Sequence, residues 1–198
     1  MPPALPVLLA LMMGFFTPAM AQFGGGARPV QSPAAPDLLQ RELDRAFEAL
    51  RTAPDEAGAR MAEAALRQLW SRQATPAVAL LLNRGIRTLR GGQAADALED
   101  FDAAILLAPN LAEAWHWRAQ AHAAAGDSHG AATDLRETLR LEPRHFPALV
   151  TLSRLQEEAR DAQGALRSFR AALEIHPRLP GGAARLRELV RAAEGQAM

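Results

Sequence analysis

The five histidines are the residues of this chain best suited to metal binding or proton transfer. They are His116, His122, His129, His145 and His176. No two of them are four residues apart, so the sequence lacks the HExxH arrangement that places two zinc ligands on one helix face. The spacing therefore predicts no metal site. It favours histidines that face solvent or lie at helix ends, where they interact with helix carbonyls.

Other sequence patterns that would indicate catalysis are also missing. The chain has no cysteine, which excludes thiol nucleophiles, cysteine zinc ligands and disulfides. It has no GxSxG nucleophile elbow, phosphate-binding loop or dinucleotide fingerprint. Acidic pairs such as Glu99-Asp100 and Glu157-Glu158 are common on solvated helix faces. We therefore expect a protein that is not an enzyme and that holds no cofactor and no metal.

The composition favours helices and argues against a nucleic-acid partner. Basic and acidic residues each number 22, so the formal net charge is zero, whereas a general polyanion binder needs a basic excess. Hydrophobic residues make up 49% of the chain but aromatics only 5%, so alanine supplies much of the apolar content. Since alanine is the strongest helix former, the elements that position any site are expected to be helices.

The first residues have the features of an export signal. Leu5–Phe16 is apolar but shorter than the roughly 20 residues that cross a bilayer. Small residues in Ala19–Ala21 suit signal peptidase, so residues 1–21 are interpreted as a signal peptide cleaved after Ala21. An uncleaved anchor is the alternative, because no Lys or Arg precedes the apolar run. We expect a periplasmic or secreted protein with no membrane span in the mature chain, and a flexible Gly/Pro-rich tether over 22–36.

A 34-residue period organises most of the remaining chain. Proline recurs at this interval, at Pro109, Pro143 and Pro177. With proline at position 32 of a repeat unit, the units are 78–111, 112–145 and 146–179. Six unit positions are apolar in all three units, and each unit has the pattern of a helix, a short turn and a second helix ended by proline. One such hairpin cannot bury its apolar face alone, so the units are expected to stack.

These units resemble the tetratricopeptide repeat, whose pattern is W-x2-L-G-x2-Y, then A-x3-F-x2-A, then P. The matching residues are Leu81, Gly85, Ala97, Phe101, Ala104 and Pro109 in the first unit, Trp115, Ala131 and Pro143 in the second, and Ala165, Phe169, Ala172 and Pro177 in the third. Position 11 departs from the pattern, since it is aromatic in none of the three units. The resemblance implies an all-α, right-handed α-solenoid of stacked antiparallel helix hairpins.

Helices are also expected at both ends of the repeats. Residues 37–77 are interpreted as a divergent helical hairpin, in which Leu43, Phe47 and Trp70 belong to apolar stripes with helical spacing. Residues 180–198 are interpreted as a C-terminal capping helix. Terminal elements of a repeat stack need a polar exterior, and both segments have charged outer faces, so we expect both to cap the stack.

The resemblance further implies that the first helix of each unit lines a concave groove that binds a protein or peptide. The candidate partner-binding residues are Asn83, Ile86, Arg90, His116, Trp117, Gln120, Arg154 and Glu157. Trp115, at position 4, is instead expected to pack within its own unit. Two alternatives stay open: Arg154 could pair with acidic residues of its own helix, and Trp117 could pack on a neighbouring helix or on the tether.

The predicted function is that of an exported scaffold for protein–protein interaction, which binds a segment of a partner in the groove. The alternatives are a self-associating structural module of the cell envelope, hence a homo-oligomer, and a non-catalytic subunit of an envelope enzyme complex. The family's known carboxylate clamp uses lysine and asparagine at positions 5, 6 and 9. Asn83 alone fits that pattern, so a clamp of this type is not expected.

Overall fold

The computed structural model describes residues 35–196 of the chain, which form nine α-helices and no strand. The helices are α1 (Ala35–Arg51), α2 (Glu56–Ser71), α3 (Pro76–Arg90), α4 (Ala94–Leu107), α5 (Ala112–Ala124), α6 (Ser128–Leu141), α7 (Phe146–Glu158), α8 (Ala162–Ile175) and α9 (Gly182–Gln196). The prediction of an all-α stack of hairpins is confirmed. The predicted signal peptide and residues 22–34 of the predicted tether lie outside the described residues.

The turn between the two helices of each repeat has the same backbone in all three units. Gly92, Gly126 and Arg160, at position 15 of their units, have φ values of 81°, 81° and 61°. Asp127 and Asp161 follow this position in the second and third units. Their side chains accept the N–H groups of the third residue along, with N–O distances of 2.9 and 2.7 Å. These N-caps fix where the second helix of each unit begins.

The three hairpins α3–α4, α5–α6 and α7–α8 stack side by side through small and apolar residues. Position 24 supplies a buried side chain to each hairpin: Phe101, Leu135 and Phe169. The backbone of Gly85 lies so close to the first of these rings that an added Cβ would be 2.7 Å from Phe101 Cε1. The helices of the first unit therefore approach closely because position 8 has no side chain.

The N-terminal hairpin α1–α2 lies against the third unit. Phe47, Leu66 and Trp70 are buried in one cluster with Phe146 of α7. Arg178, beyond the end of α8, donates to the backbone carbonyl of the α1–α2 connection with an N–O distance of 2.7 Å. The hairpin thus covers the edge of the stack where α7 begins and α8 ends, and no extensive contact joins it to α3.

This location differs from the one that an additional repeat stacked on the first unit would have, and apolar burial explains it. Leu149, Ile175 and Leu179 are partly buried against the hairpin cluster and would be exposed without it. At the opposite end, α9 packs on α8 with Leu189 fully buried, as expected of a C-terminal cap. Among residues 35–196, no helix combines the length and apolar character needed to cross a membrane.

Candidate binding groove

The groove has one wall made by the first helices of the three units, α3, α5 and α7, and an opposite wall made by α2. Between them lies a cavity of about 530 Å³. Its lining includes six of the eight candidate residues: Asn83, Ile86, Arg90, His116, Trp117 and Gln120. These six residues therefore lie together on the wall made by α3 and α5. That these residues bind a partner stays a prediction.

The other two candidates, Arg154 and Glu157, do not line this cavity. Arg154 Nε lies 3.8 Å from Glu158 Oε1 on the same helix, and both side chains are exposed. Glu157 pairs with Arg185 of α9. The capping helix therefore engages the end of α7, and on that helix only the first turns line the groove, whereas on α3 the lining extends to the last residue, Arg90.

The residues from α2 are the part of the lining that the repeat register does not indicate. Glu63, Arg67 and Trp70 line the cavity from the side opposite the repeats. Their helical spacing indicates that one face of α2 is apolar and buried. The spacing does not indicate which other helices cover this face of α2, because the hairpin docks on residues that are far away in the chain.

A hydrogen-bonded network lies at the floor of the groove, between the second and third units. His145, the N-cap of α7, accepts the N–H of Ala148 at its Nδ1, with an N–N distance of 3.1 Å. Its Nε2 therefore carries the proton, which it donates to Glu113 Oε1 over 3.3 Å. Nε2 of His116 lies 3.4 Å from Thr151 Oγ1. These contacts fix α5 against α7 and so fix the shape of the groove.

The network keeps one carboxylate charged and one imidazole neutral. Burial alone would raise the pKa of Glu113, but the hydrogen bond from His145 and further favourable contacts hold it below its ordinary range. Burial lowers the pKa of His116 to about 3, with a smaller contribution in the same direction from His145. At neutral pH the floor of the groove is therefore a carboxylate with its hydrogen-bond donors and an uncharged ring.

Glu113, His116 and His145 are also the described residues that come nearest to a metal-binding set, since their ligand atoms lie within 4.8 Å of one another. A metal on Nε2 of His145 would need a lone pair there and a proton on Nδ1. That proton would point at the N–H of Ala148, which Nδ1 now accepts. The chemistry of the donor set therefore fits hydrogen bonding and does not fit metal coordination.

The sequence did not reveal this group because His145 lies far along the chain from Glu113 and His116, at the opposite end of the same unit. Position 2 of the second unit holds Glu113 and position 34 of the same unit holds His145, so 32 residues separate them. Stacking brings the start of one first helix beside the start of the next. A search by unit position across a repeat junction would have found the pair, whereas a search for i, i+4 spacing on one helix could not.

The rest of the lining is apolar with a few polar groups at its rim. Ile86, Trp117 and Val150 are half-buried and face the cavity. Asn83 is exposed, and Arg90 is exposed and makes no ion pair with the described residues. The groove therefore offers apolar contacts flanked by an amide and a guanidinium.

Comparisons with known proteins agree with this geometry. No model of a known protein family matches the chain. A TPR repeat-containing protein of Rhizobium etli is 27% identical over 148 residues, which are 75% of this chain and 72% of that protein. The first TPR domain of Spaghetti (RPAP3), solved with an HSP90 peptide, has a TM-score of 0.56 at 16% identity over 59% of this chain and 92% of its own.

The described residues have the fold of tetratricopeptide-repeat proteins.

Two further tetratricopeptide-repeat structures show the same fold. The Sgt2 TPR domain from Aspergillus fumigatus has a TM-score of 0.59 and 21% identity, covering 63% of this chain and 83% of that one. The TPR2AB domain of yeast Sti1, solved as a pHSP90 complex, has a TM-score of 0.53 and 19% identity, covering 81% of this chain and 64% of that one. At these identities the likeness establishes the fold and leaves the partner of this chain open.

Proposed function

We propose that this chain is a tetratricopeptide-repeat protein and acts as an exported, non-catalytic scaffold that binds a segment of a partner protein in the groove between α2 and the repeats. The observation that carries the proposal is the cavity of about 530 Å³. Its volume lies within the range of about 300–1,000 Å³ that is usual for binding pockets. A structural neighbour solved with an HSP90 peptide supports a peptide as the kind of ligand.

The composition of the lining supports a protein segment as the occupant. A half-buried tryptophan beside aliphatic side chains is the kind of surface on which interface hot spots form, and Trp117 lies beside Ile86 in this way. Asn83 and Gln120 can exchange hydrogen bonds with a peptide backbone. Leu82 and Ile86 stand at positions 5 and 9, where a carboxylate clamp has polar residues, so the expected ligand presents apolar side chains rather than a carboxyl terminus.

The state of the ionisable groups supports a non-catalytic role. Glu113 is held as a carboxylate by its donors, and His116 is an uncharged ring buried at the floor. A general acid or base works best with a pKa near the working pH. Both groups have their pKa displaced away from neutrality, so they are better suited to fixing α5 against α7 than to transferring protons.

Site-specific photocrosslinking in native cells tests the groove as the binding site. A benzophenone amino acid at Asn83 is expected to capture a discrete partner, because this exposed side chain lines the cavity. The matched control places the same amino acid at Arg136, which is exposed on α6 and outside the groove lining. Ile86→Glu should abolish the crosslinked product while circular dichroism shows unchanged helix content. Equal yields from the two positions would exclude the groove as the site.

Export is tested separately on the purified native protein. We expect the mature chain to begin at Gln22, because the small residues before it suit signal peptidase. N-terminal sequencing and intact mass of the protein from the periplasmic fraction measure this. A variant with Ala19→Arg and Ala21→Arg should retain residues 1–21. A parent protein that keeps those residues and stays in the cytoplasmic fraction would contradict export.

A further inference from the structure

An arginine at position 7 links the second unit to the unit before it. Nε and Nη2 of Arg118 each donate to Asp134 of its own unit over 2.8 Å. Its Nη1 donates to Asp102 of α4, in the first unit, over 2.7 Å. All three nitrogen atoms of this guanidinium therefore donate to carboxylates, and only 20% of the side chain is exposed.

The corresponding arginine of the first unit has only half of this arrangement. Arg84 pairs with Asp100 of its own unit through Nε and Nη2, as its counterpart does. Its Nη1 donates to none of the described residues, and 63% of the side chain is exposed. Nη1 of Arg84 is therefore an available donor. The equivalent Nη1 of Arg118 is paired with Asp102 of the preceding unit.

The first unit also differs from the later units in how deeply positions 3 and 10, next to this arginine, are buried. At position 3, Ala114 and Ala148 are fully buried by the preceding unit, whereas 67% of Leu80 is exposed. At position 10, Ala121 is fully buried and Arg87 is exposed. We name the surface formed by Leu80, Arg84 and Arg87 the end face. It has the register of an internal stacking surface, and because α1–α2 packs on the third unit, none of the helices within 35–196 covers it.

The helix that occupies the same surface on α5 shows what kind of helix would fit. Leu98, Asp102 and Ile105 of α4 are spaced i, i+4 and i+7, so they lie on one face of that helix. The carboxylate meets Arg118, and the two apolar residues belong to the cluster that also buries Ala114. A complementary helix thus carries a carboxylate between two apolar residues.

We infer that the end face is a docking surface for a helix of a partner protein that presents a carboxylate flanked by apolar residues at i−4 and i+3. Charge complementarity favours this occupant, since the end face carries two exposed guanidinium groups. This interaction is separate from ligand binding in the groove and does not depend on it.

A second copy of the chain is a poorer occupant of the end face. Two end faces in contact would oppose arginine to arginine, which is unfavourable. The other end of the stack is formed by α9, where Arg187 and Arg191 are exposed. Glu188 and Glu194 are exposed on the same helix, so a head-to-tail contact would set mixed charges against the end face rather than one carboxylate between two apolar side chains.

A hydrocarbon-stapled peptide with the sequence Ala94–Leu107 is a direct probe, because α4 occupies the equivalent surface on α5. Helicity of the peptide is checked by circular dichroism, and binding to the full chain is followed by fluorescence anisotropy. We expect saturable binding that Asp102→Asn in the peptide weakens about tenfold, since one charged pair is lost. Leu80→Glu or Arg87→Glu in the protein should weaken binding at least as much.

Three controls decide between sites. Leu106→Glu changes an exposed leucine outside the end face and should leave peptide binding unchanged. Loss of binding in Trp117→Ala would place the peptide in the groove and overturn the proposal. The proposal would also be overturned if a fully helical peptide showed no saturable binding up to about 1 mM. A dimer in light scattering that Leu80→Glu dissociates would assign the end face to a second copy, which also overturns it.

Discussion

Three consecutive residues of α5 differ in their surroundings because of their positions in the repeat. Trp115 donates its indole N–H to the carbonyl of Pro109 over 2.8 Å, and the guanidinium of Arg118 lies 4.8 Å from its ring centre. Trp117 lines the groove. His116 also lies at the groove but is only 5% exposed, so it forms part of the floor and is not a free contact residue.

The two tryptophans are expected to respond differently to truncation. Trp115→Ala should lower the free energy of unfolding by about 2 kcal/mol, because it removes a half-buried ring, a hydrogen bond and a cation–π contact. Trp117→Ala should cost less stability and instead weaken crosslinking to a partner at Asn83. Urea unfolding and the crosslinking assay measure the two effects. A larger loss of stability in Trp117→Ala would contradict this assignment.

The buried imidazole of His116 makes stability depend on pH. Burial lowers its pKa from 6.5 to about 3. Between these values the unfolded chain binds a proton that the folded chain does not, so stability falls as the pH falls below about 6.5. From pH 7 to pH 5 this amounts to about 2 kcal/mol. His176 acts in the same direction, because burial lowers its pKa against the opposing effect of Glu63.

Urea unfolding at pH 7 and pH 5 measures this effect. His116→Gln keeps a hydrogen-bonding side chain near Thr151 and removes the titrating group, so the loss of stability at pH 5 should shrink. Glu113 interferes little in this range, because its pKa lies below its ordinary value and it titrates at lower pH. If parent and variant lose the same stability, His116 is not the group responsible.

At the scale of elements, the N-terminal hairpin determines the groove. Its buried residues Phe47 and Trp70 pack on Phe146, and the Trp70 ring stacks on His145 with 4.7 Å between ring centres. Because α2 then faces α3, α5 and α7, an open concave surface becomes a cavity with two walls. The hairpin thus closes one side of the groove while it leaves the first unit uncovered.

The docking of this hairpin leads to a test by truncation in α1. Phe47→Ala should lower the free energy of unfolding by about 3 kcal/mol, since the ring is 5% exposed in the shared cluster. Hydrogen exchange should increase in α2 and at the end of α8, and not in α3. Leu38→Ala is the matched control in the same helix, because Leu38 is 48% exposed. Increased exchange confined to α3 would contradict the observed docking.

The sequence predicts the elements better than their long-range arrangement. Repetition makes the three hairpins predictable, because each of Phe101, Leu135 and Phe169 has the same neighbours in its own unit. Phe47 and Trp70 occur once each in a segment without a repeat. Their apolar stripes predict that they are buried, but many surfaces could bury them. For the same reason the register identified the repeat wall of the groove and not the wall made by α2.

At the scale of the whole molecule, the units have unequal numbers of neighbours. Among the described helices, the first unit stacks on the second alone, the second lies between two units, and the third contacts the second unit, α9 and the N-terminal hairpin. In a repeat stack the stability of each unit depends largely on its interfaces with its neighbours. The first unit, which carries the end face, is therefore expected to be the least stable of the three.

Native-state hydrogen exchange measures this order of stability. The free energy of the openings that expose the amides of α3 and α4 should be about 2 kcal/mol lower than for α5 to α8. The reason is that one stacking surface of the first unit has no neighbouring unit. The stapled α4 peptide should raise protection in α3 and α4, since it supplies the absent neighbour, and should leave α8 unchanged. Uniform exchange across the three units would show that the molecule opens as one cooperative body. In that case the uncovered end face would cost the stack no stability.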